Sequence, residues 1–435
     1  MTEHRPAMKA GAGEPFRTPA VMLLFTCTAA CAPAAPPPAP SPETSCIVAD
    51  DAPRTRVTLG VTGTPDASAP AAGSRHIAAQ LYETLIRVDC TGSLVSGLAS
   101  TWSSADGLGW QFELAPGASF HDGTPVTAAS VARAWANAGI PRLEEVAATG
   151  EYQLHVKLRE PADARLFAHP SLSVARTGGG GWPAGTGVYV PAAGAGTLLL
   201  LDRADDAHAP DTIELRAVRG DARAAIDAGV DALVSGAADV VAYARARNDY
   251  SLAPLPWTRT YVLLTANGSA ASPAAALDAL ARDAVRADAR PASPPFWWTS
   301  CTAPDREPAV QATASGILYP RGDETARELA ERIAALAWPS SRSPAWLRER
   351  LPSGYTLPRT AGVDSGAMSA ALRAGTALAA IASVPRTPHE GCADAPALAA
   401  WPALPLIDTR DHLIHRAGVG RIHVDGYGTI RFGAR

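Results

Sequence analysis

Three kinds of side chain in this sequence could act on a small molecule. His412-x-x-His415 with His423 offers imidazoles to a metal ion, Arg386 offers a fork of donors suited to a carboxylate or another anion, and Trp257 and the Trp297-Trp298 pair offer flat faces for stacking. Each also has a plainer reading. The histidine segment reads as strand and turn, where residues three apart point to opposite faces, so no metal site is assigned. Arginine is commonly just a surface residue, and tryptophan commonly fills cores and interfaces. Neighbours in extended chain point opposite ways, so at most one of Trp297 and Trp298 faces a cleft. The patterns of catalysis are missing: there is no Gly-x-Ser-x-Gly elbow, no phosphate-cradling glycine loop with lysine and no His-Glu-x-x-His. Binding is the expectation, with neither enzyme activity nor a cofactor.

The 435 residues suffice for two or three domains, and 47% hydrophobic with 18% charged residues is the balance of a soluble globular chain. A net charge of -4 gives no reason to expect nucleic acid. Lys9 and Lys157 are the only lysines, which we attribute to codon bias and not to phosphate recognition. Ala20 to Ala30 is an apolar run too short to span a membrane and suited to a signal-peptide core. Thr28-Ala29-Ala30-Cys31 then resembles a bacterial lipobox, so residues 1–31 are expected to be a lipoprotein signal peptide with Cys31 acylated, and residues 32–50 a stiff proline-rich tether. Ordinary secretory cleavage near Ala35 is the alternative. Export places Cys46, Cys90, Cys301 and Cys392 where disulfides form; of three connectivities, Cys46 with Cys90 and Cys301 with Cys392 keeps each pair within one expected lobe.

The elements that would position these groups follow from local pattern. Trp110, Phe112 and Leu114 alternate along a strand, Pro116-Gly117 turns the chain before Phe120 and predicts a hairpin, and Asp122-Gly123 turns it again. Thr127 is placed to cap a helix whose Val131 and Trp135 share one face. Arg56 to Val61 reads as the first strand, and Ile77, Leu81 and Leu85 as the buried side of a helix. Further along, Ile317 to Tyr319 is a strand and Asp323 caps a helix carrying the apolar stripe Ala326, Leu329, Ala330, Ile333 and Leu336. Strand followed by helix is an α/β signature. Arg421 to Val424 and Thr429 to Phe432 form a closing hairpin.

Tyr82-Glu83-Thr84-Leu85, Gly97-Leu98-Ala99-Ser100-Thr101-Trp102, Trp110 to Leu114 and Phe120-His121-Asp122-Gly123-Thr124-Pro125 occur in an order and spacing that resembles the family 5 extracellular solute-binding proteins, the dipeptide, oligopeptide and nickel binders of bacterial ABC importers. Gly185-Thr186-Gly187-Val188-Tyr189 resembles that family's Gly-Thr-Gly-Pro-Tyr element, with valine for proline, and Leu255 to Leu264 resembles its crossing between lobes. The resemblance implies a two-lobed α/β fold of the periplasmic-binding-protein type (class II-like), with mixed sheets, hinge strands and a ligand cleft. The first lobe is expected over 51–260 with a returning segment 406–435, and a shortened second lobe over 261–405. It also implies a peptide-like or other small solute, ABC permease partners, a monomer, and export with lipid anchoring to the cell envelope. Thr62 sits where the family places a ligand-contacting loop. In Thr376 to Pro388 the family's acidic residue is absent: Pro385 stands there and Arg386 follows, leaving Asp364 and Glu390 as carboxylates that could substitute. The expected ligand-binding residues are therefore Thr62, Trp257, Trp297, Trp298 and Arg386. A lipid-anchored sensor or scaffold of the same fold, without a transporter, is the competing reading.

Overall fold

Alternation of apolar and polar residues marks several strands in the first half of the chain. The computed structural model describes residues 46–62, 75–176, 182–193, 198–202, 206–265, 288–301, 316–336, 359–374, 377, 379–388, 401 and 403–433. The expected signal peptide, Cys31, Glu390 and Cys392 lie outside them. β1 (Ile47–Asp50), β2 (Arg56–Thr62), α1 (Arg75–Leu81), β3 (Ile86–Val88) and β4 (Leu94–Ser96) lead into β5 (Ala99–Ser104), β6 (Gly109–Leu114), α2 (Ala128–Ala138), β7 (Leu143–Ala148) and β8 (Gln153–Leu158). Trp110, Phe112 and Leu114 of β6 and Leu154, Val156 and Leu158 of β8 are buried, so one face of the antiparallel sheet β5-β6-β8-β7 is core. Phe167 meets Phe112 edge-on at 4.7 Å, and Trp135 of α2 joins the same cluster. Because β6 pairs with β5 and β8, the turn at Pro116-Gly117 leads away from the sheet and does not close the expected hairpin. Thr127 does cap α2: the Ser130 N–H donates to its hydroxyl at 3.2 Å, and its own N–H donates to the Ser130 hydroxyl at 2.8 Å.

The chain continues through β9 (Tyr189–Ala193), β10 (Leu198–Asp202), β11 (Thr212–Val218), α3 (Ala222–Asp227), β12 (Ala232–Ser235), α4 (Ala238–Arg245) and β13 (Ser251–Pro254). It then enters a second sheet with β14 (Arg259–Thr265), β15 (Ala289–Pro291), β16 (Gly316–Pro320), α5 (Glu324–Leu336), β17 (Arg359–Val363), α6 (Ser365–Arg373), β18 (Ala379–Pro385) and β19 (Ala403–Thr409). β20 (His412–His415) returns to the first, and β21 (Arg421–Val424) and β22 (Ile430–Phe432) pair with β1 in a separate three-stranded sheet. The two mixed sheets have the orders β13-β20-β12-β2-β11-β10-β9 and β15-β19-β14-β18-β16-β17. The first is parallel at its centre, where β2 runs with β11 and β12, and the second along one edge, where β16 runs with β17 and β18. Helix α5 covers the second sheet: its Ala326, Leu329, Ala330 and Ile333 are buried against it. Two sheets, each with its own core, give the two-lobed α/β fold.

Three expected boundaries move. Ile47–Asp50, expected as the end of a tether, is strand β1 paired with β21, because Cys46 is tied to Cys90 and Ala49 packs into the first core. β14 begins at Arg259, two residues before the expected start of the second lobe. The return begins after Thr409 and not at 406, since β19 stays hydrogen-bonded to β14 up to that residue. The Cys46–Cys90 disulfide, with Cα atoms 5.5 Å apart, closes a span of 44 residues. Cys301 is also disulfide-bonded.

Gly185 and Gly187 explain their element in backbone terms. A Cβ on Gly185 would stand 2.0 Å from the Leu81 carbonyl oxygen, and one on Gly187 would stand 2.2 Å from that of Gln80. The Gly187 N–H donates to the Leu81 carbonyl at 2.9 Å, so this loop lies directly on the end of α1 with no room for a side chain.

Candidate functional site

Two crossings join the sheets, residues 255–258 between β13 and β14 and residues 410–411 between β19 and β20. Around them the C-terminal ends of parallel strands face one another. β2, β11 and β12 end at Thr62, Val218 and Ser235, and β16, β17 and β18 end at Pro320, Val363 and Pro385. Ligands of open α/β sheets collect at such ends, where backbone leaves the sheet and loops diverge. Among the described residues two hollows lie between the lobes, of about 770 and about 480 Å3.

The larger hollow is lined by Gly236 to Asp239 at the start of α4, by Arg321 to Thr325 at the start of α5, and by Thr258, Arg259, Tyr261 and Thr409 to Asp411. Its polar groups are tied into the fold. Asp323 accepts from the Ala326 N–H at 3.0 Å, capping α5, and from the Tyr261 hydroxyl at 3.1 Å. Burial, with the Asp323 charge beside it, pushes the Tyr261 hydroxyl well above its usual range.

The smaller hollow is organised by one carboxylate. Asp408 has no exposed surface, and it accepts from the Thr260 hydroxyl at 2.6 Å, Arg290 Nε at 3.1 Å and Arg386 Nη1 at 3.2 Å. Arg386 Nη1 also donates to the Ser293 carbonyl at 2.6 Å. Arg410 donates through Nε and Nη2 to Asp288 Oδ2, at 3.0 and 2.8 Å. The guanidinium groups of Arg290 and Arg410 each lie 4.5 Å from the Trp257 ring centroid. Trp257 is thus the aromatic centre of a hinge cluster.

The expected ligand-binding residues separate on this geometry. Trp257 and Arg386 both line the smaller hollow. Arg386 already holds a carboxylate, that of Asp408. Trp297 and Trp298 line neither hollow and belong to the apolar cluster with Met368, Leu372 and Trp401. They stand in a 3-10 turn, Trp297–Ser300, and not in extended chain; Trp298 is buried, and Trp297 Nε1 donates to the Pro385 carbonyl at 2.7 Å. Both side chains pack in that cluster beside the end of β18. Thr62 ends β2 opposite Val218, and the loop after it lies outside the described residues. Asp364 stands at the start of α6. His412 and His415 lie on strand β20, both buried, and His412 Nε2 lies 3.0 Å from Asp288. Burial lowers the His412 pKa below its ordinary value despite that carboxylate. Among the described residues no group of three metal-ligating side chains is assembled.

Sequence reasoning missed Asp408, Arg290 and Arg410. A signal existed: Asp408 follows the apolar stretch Leu404 to Ile407, and a carboxylate inside a buried strand requires cationic partners.

Comparison with known proteins agrees with this architecture. The model of the bacterial extracellular solute-binding proteins, family 5 (middle), matches residues 93–256, ending within the first crossing. The periplasmic oligopeptide-binding protein OppA of Escherichia coli (strain K12) is 30% identical over 128 residues, a match covering 22% of this chain and 24% of that protein. The chain is thus aligned with only about a quarter of the length of the curated relative it matches. Among solved structures, NikA from Brucella suis in complex with Fe(III)-EDTA superposes with a TM-score of 0.61 at 15% identity, covering 87% of this chain and all of that one. The Escherichia coli murein tripeptide binding protein MppA superposes with a TM-score of 0.53 at 13% identity, covering 90% and 100%. Residues 93–256 thus match the family 5 extracellular solute-binding proteins, and the chain as a whole shares the two-lobed fold of these solved structures.

Proposed function

We propose that the protein captures a peptide-like or other small solute in the space between its lobes and delivers it to the permease of an ABC importer. The observation that carries this reading is the pair of interlobe hollows beside two short crossings, at the C-terminal ends of parallel strands from both sheets. A solute touching both walls favours the closed arrangement, and a permease can distinguish closed from open. The relatives support the solute class: OppA is named for oligopeptides and MppA for murein tripeptide. In this reading residues 1–30 are removed and Cys31 is acylated as the new N-terminus, the chain up to residue 45 is a tether, one lobe comprises 46–254 with 412–433, and the other 259–409. The protein then works as a lipid-anchored monomer on the outer side of the membrane.

A thermal-shift screen of peptides, amino-acid conjugates, sugars and divalent metals tests the capture step. A solute that binds only the folded state raises the melting temperature by mass action, by an amount that grows with concentration. No shift with any class would reject the reading. Processing is tested separately, by mass spectrometry of the mature N-terminus; an unacylated, water-soluble product would remove the anchor.

A further inference from the structure

The smaller hollow is walled on one side by arginines and on the other by uncharged chain. Arg290, Arg386 and Arg410 reach it from β15, from the end of β18 and from the second crossing. Facing them are Thr91, Gly92 and Gly426 of the first lobe, and no carboxylate lines the hollow among the described residues. The acids of that far wall serve their own turns. Asp89 accepts from the N–H groups of Thr91 and Ser93, each at 2.9 Å, and Asp425 accepts from those of Tyr427 and Thr429 at 2.9 and 2.8 Å. Behind the arginines, two carboxylates serve three guanidinium groups: Asp288 pairs with Arg410, while Asp408 divides itself between Arg290 and Arg386. Among the described residues one positive charge of the cluster is left over, at the wall of the hollow.

We propose that this hollow binds a small molecule through a carboxylate, held by the guanidinium groups of Arg290, Arg386 and Arg410 where the lobes meet. A volume of about 480 Å3 falls within the range of small-molecule sites. Planar guanidinium groups match a carboxylate in geometry and in charge, and the aspartates behind them fix their orientation before the ligand arrives. Trp257 holds two of the three arginines through its ring, so its part is to position the clamp. A ligand carboxylate here would touch second-lobe arginines while its body meets the first-lobe wall, which ties occupancy to closure. The proposal rests on solute capture between the lobes and narrows the solute to an anion.

Isothermal titration calorimetry of the full chain with succinate, its diamide succinamide, and N-acetyl-alanyl-alanine amide tests it. Succinate should bind and succinamide should not. The Kd for succinate should rise about tenfold or more in Arg410→Gln, and likewise in Arg386→Gln combined with Asp408→Asn, a pairing that leaves no buried carboxylate short of its partner. Wild-type protein that ignores succinate, equal binding of succinamide, or an unchanged Kd in both variants overturns the proposal. The capped peptide separates the two readings, since its binding in the absence of succinate binding leaves solute capture standing and removes the carboxylate site.

Discussion

The carboxylate of Asp408, wholly buried at the end of β19, holds the guanidinium of Arg386 at 3.2 Å across the edge of the second sheet. Neither residue is free to act alone. Removing Arg386 leaves Asp408 with Arg290 and Thr260 only, and a buried charge that loses a partner is costly. Arg386→Ala is expected to lower unfolding stability by about 2 kcal/mol, less than a full buried-pair loss because two partners remain. Adding Asp408→Asn should recover part of that loss. Chemical denaturation of the two variants measures it, and equal stability of Arg386→Ala and wild type would show that the pair contributes nothing.

The Cys46–Cys90 disulfide joins the start of β1 to the turn after β3. By the chain-entropy model a closed loop of this length stabilises by about 4 kcal/mol. Cys46→Ser with Cys90→Ser should therefore shift the denaturant midpoint downward, by an amount equivalent to roughly 2–4 kcal/mol, and reduction of the wild type, which also opens the Cys301 disulfide, should lower it at least as far.

His76 gives a pH dependence of definite sign. Burial, reinforced by the neighbouring Arg75 charge, pushes its pKa down to about 3, and its Nδ1 accepts from the Ile430 N–H at 3.3 Å. The unfolded chain takes up the proton near 6.5 and the folded chain does not, so the unfolded state binds more protons as pH falls. The stabilisation is complete above about 6.5 and declines from there toward 3. His412, with its pKa also lowered by burial, acts in the same direction. Melting temperature should fall with acidification through this window, and His76→Gln should flatten the slope; parallel curves for the two proteins would count against it.

Gly187 has the Gln80 carbonyl oxygen 2.2 Å from where a Cβ would stand. Backbone cannot yield as a flexible side chain does. Gly187→Ala should cost about 2 kcal/mol or more, while Gly123→Ala, with open space around it but a φ of +80°, should cost only about 1 kcal/mol. Reversal of that order in urea titrations would contradict the packing argument.

Much of the fold was legible because local pattern carried it. The Thr127 cap, the alternation of Trp110, Phe112 and Leu114, the stripe on α5 and the crossing near Pro256 are all short-range signals, and each of these elements stands where the sequence put it. What escaped was long-range. β1 is too short and too close to a proline-rich stretch to announce itself, and it exists because β21, almost four hundred residues later in the chain, lies beside it. Trp297 and Trp298 read as stacking groups because a side chain's type does not state what covers it. The cluster between the lobes was half legible for the same reason: Arg386 and Trp257 stood out by type and neighbourhood, but the partners that fix them, Asp408, Arg290 and Arg410, become visible only when separate strands are brought together.

The second crossing is only Arg410 and Asp411, and each is moored to a different body. Arg410 reaches Asp288 beside β15, whereas Asp411 reaches Arg75 at the start of α1, 3.1 Å away. The peptide link between these neighbours is therefore a pivot with fixed flanks. Any swing of one sheet against the other must be taken up as torsion within this dipeptide and its longer companion at 255–258, so the direction of swing is set by the backbone torsions of these few residues and not by the broad faces they connect.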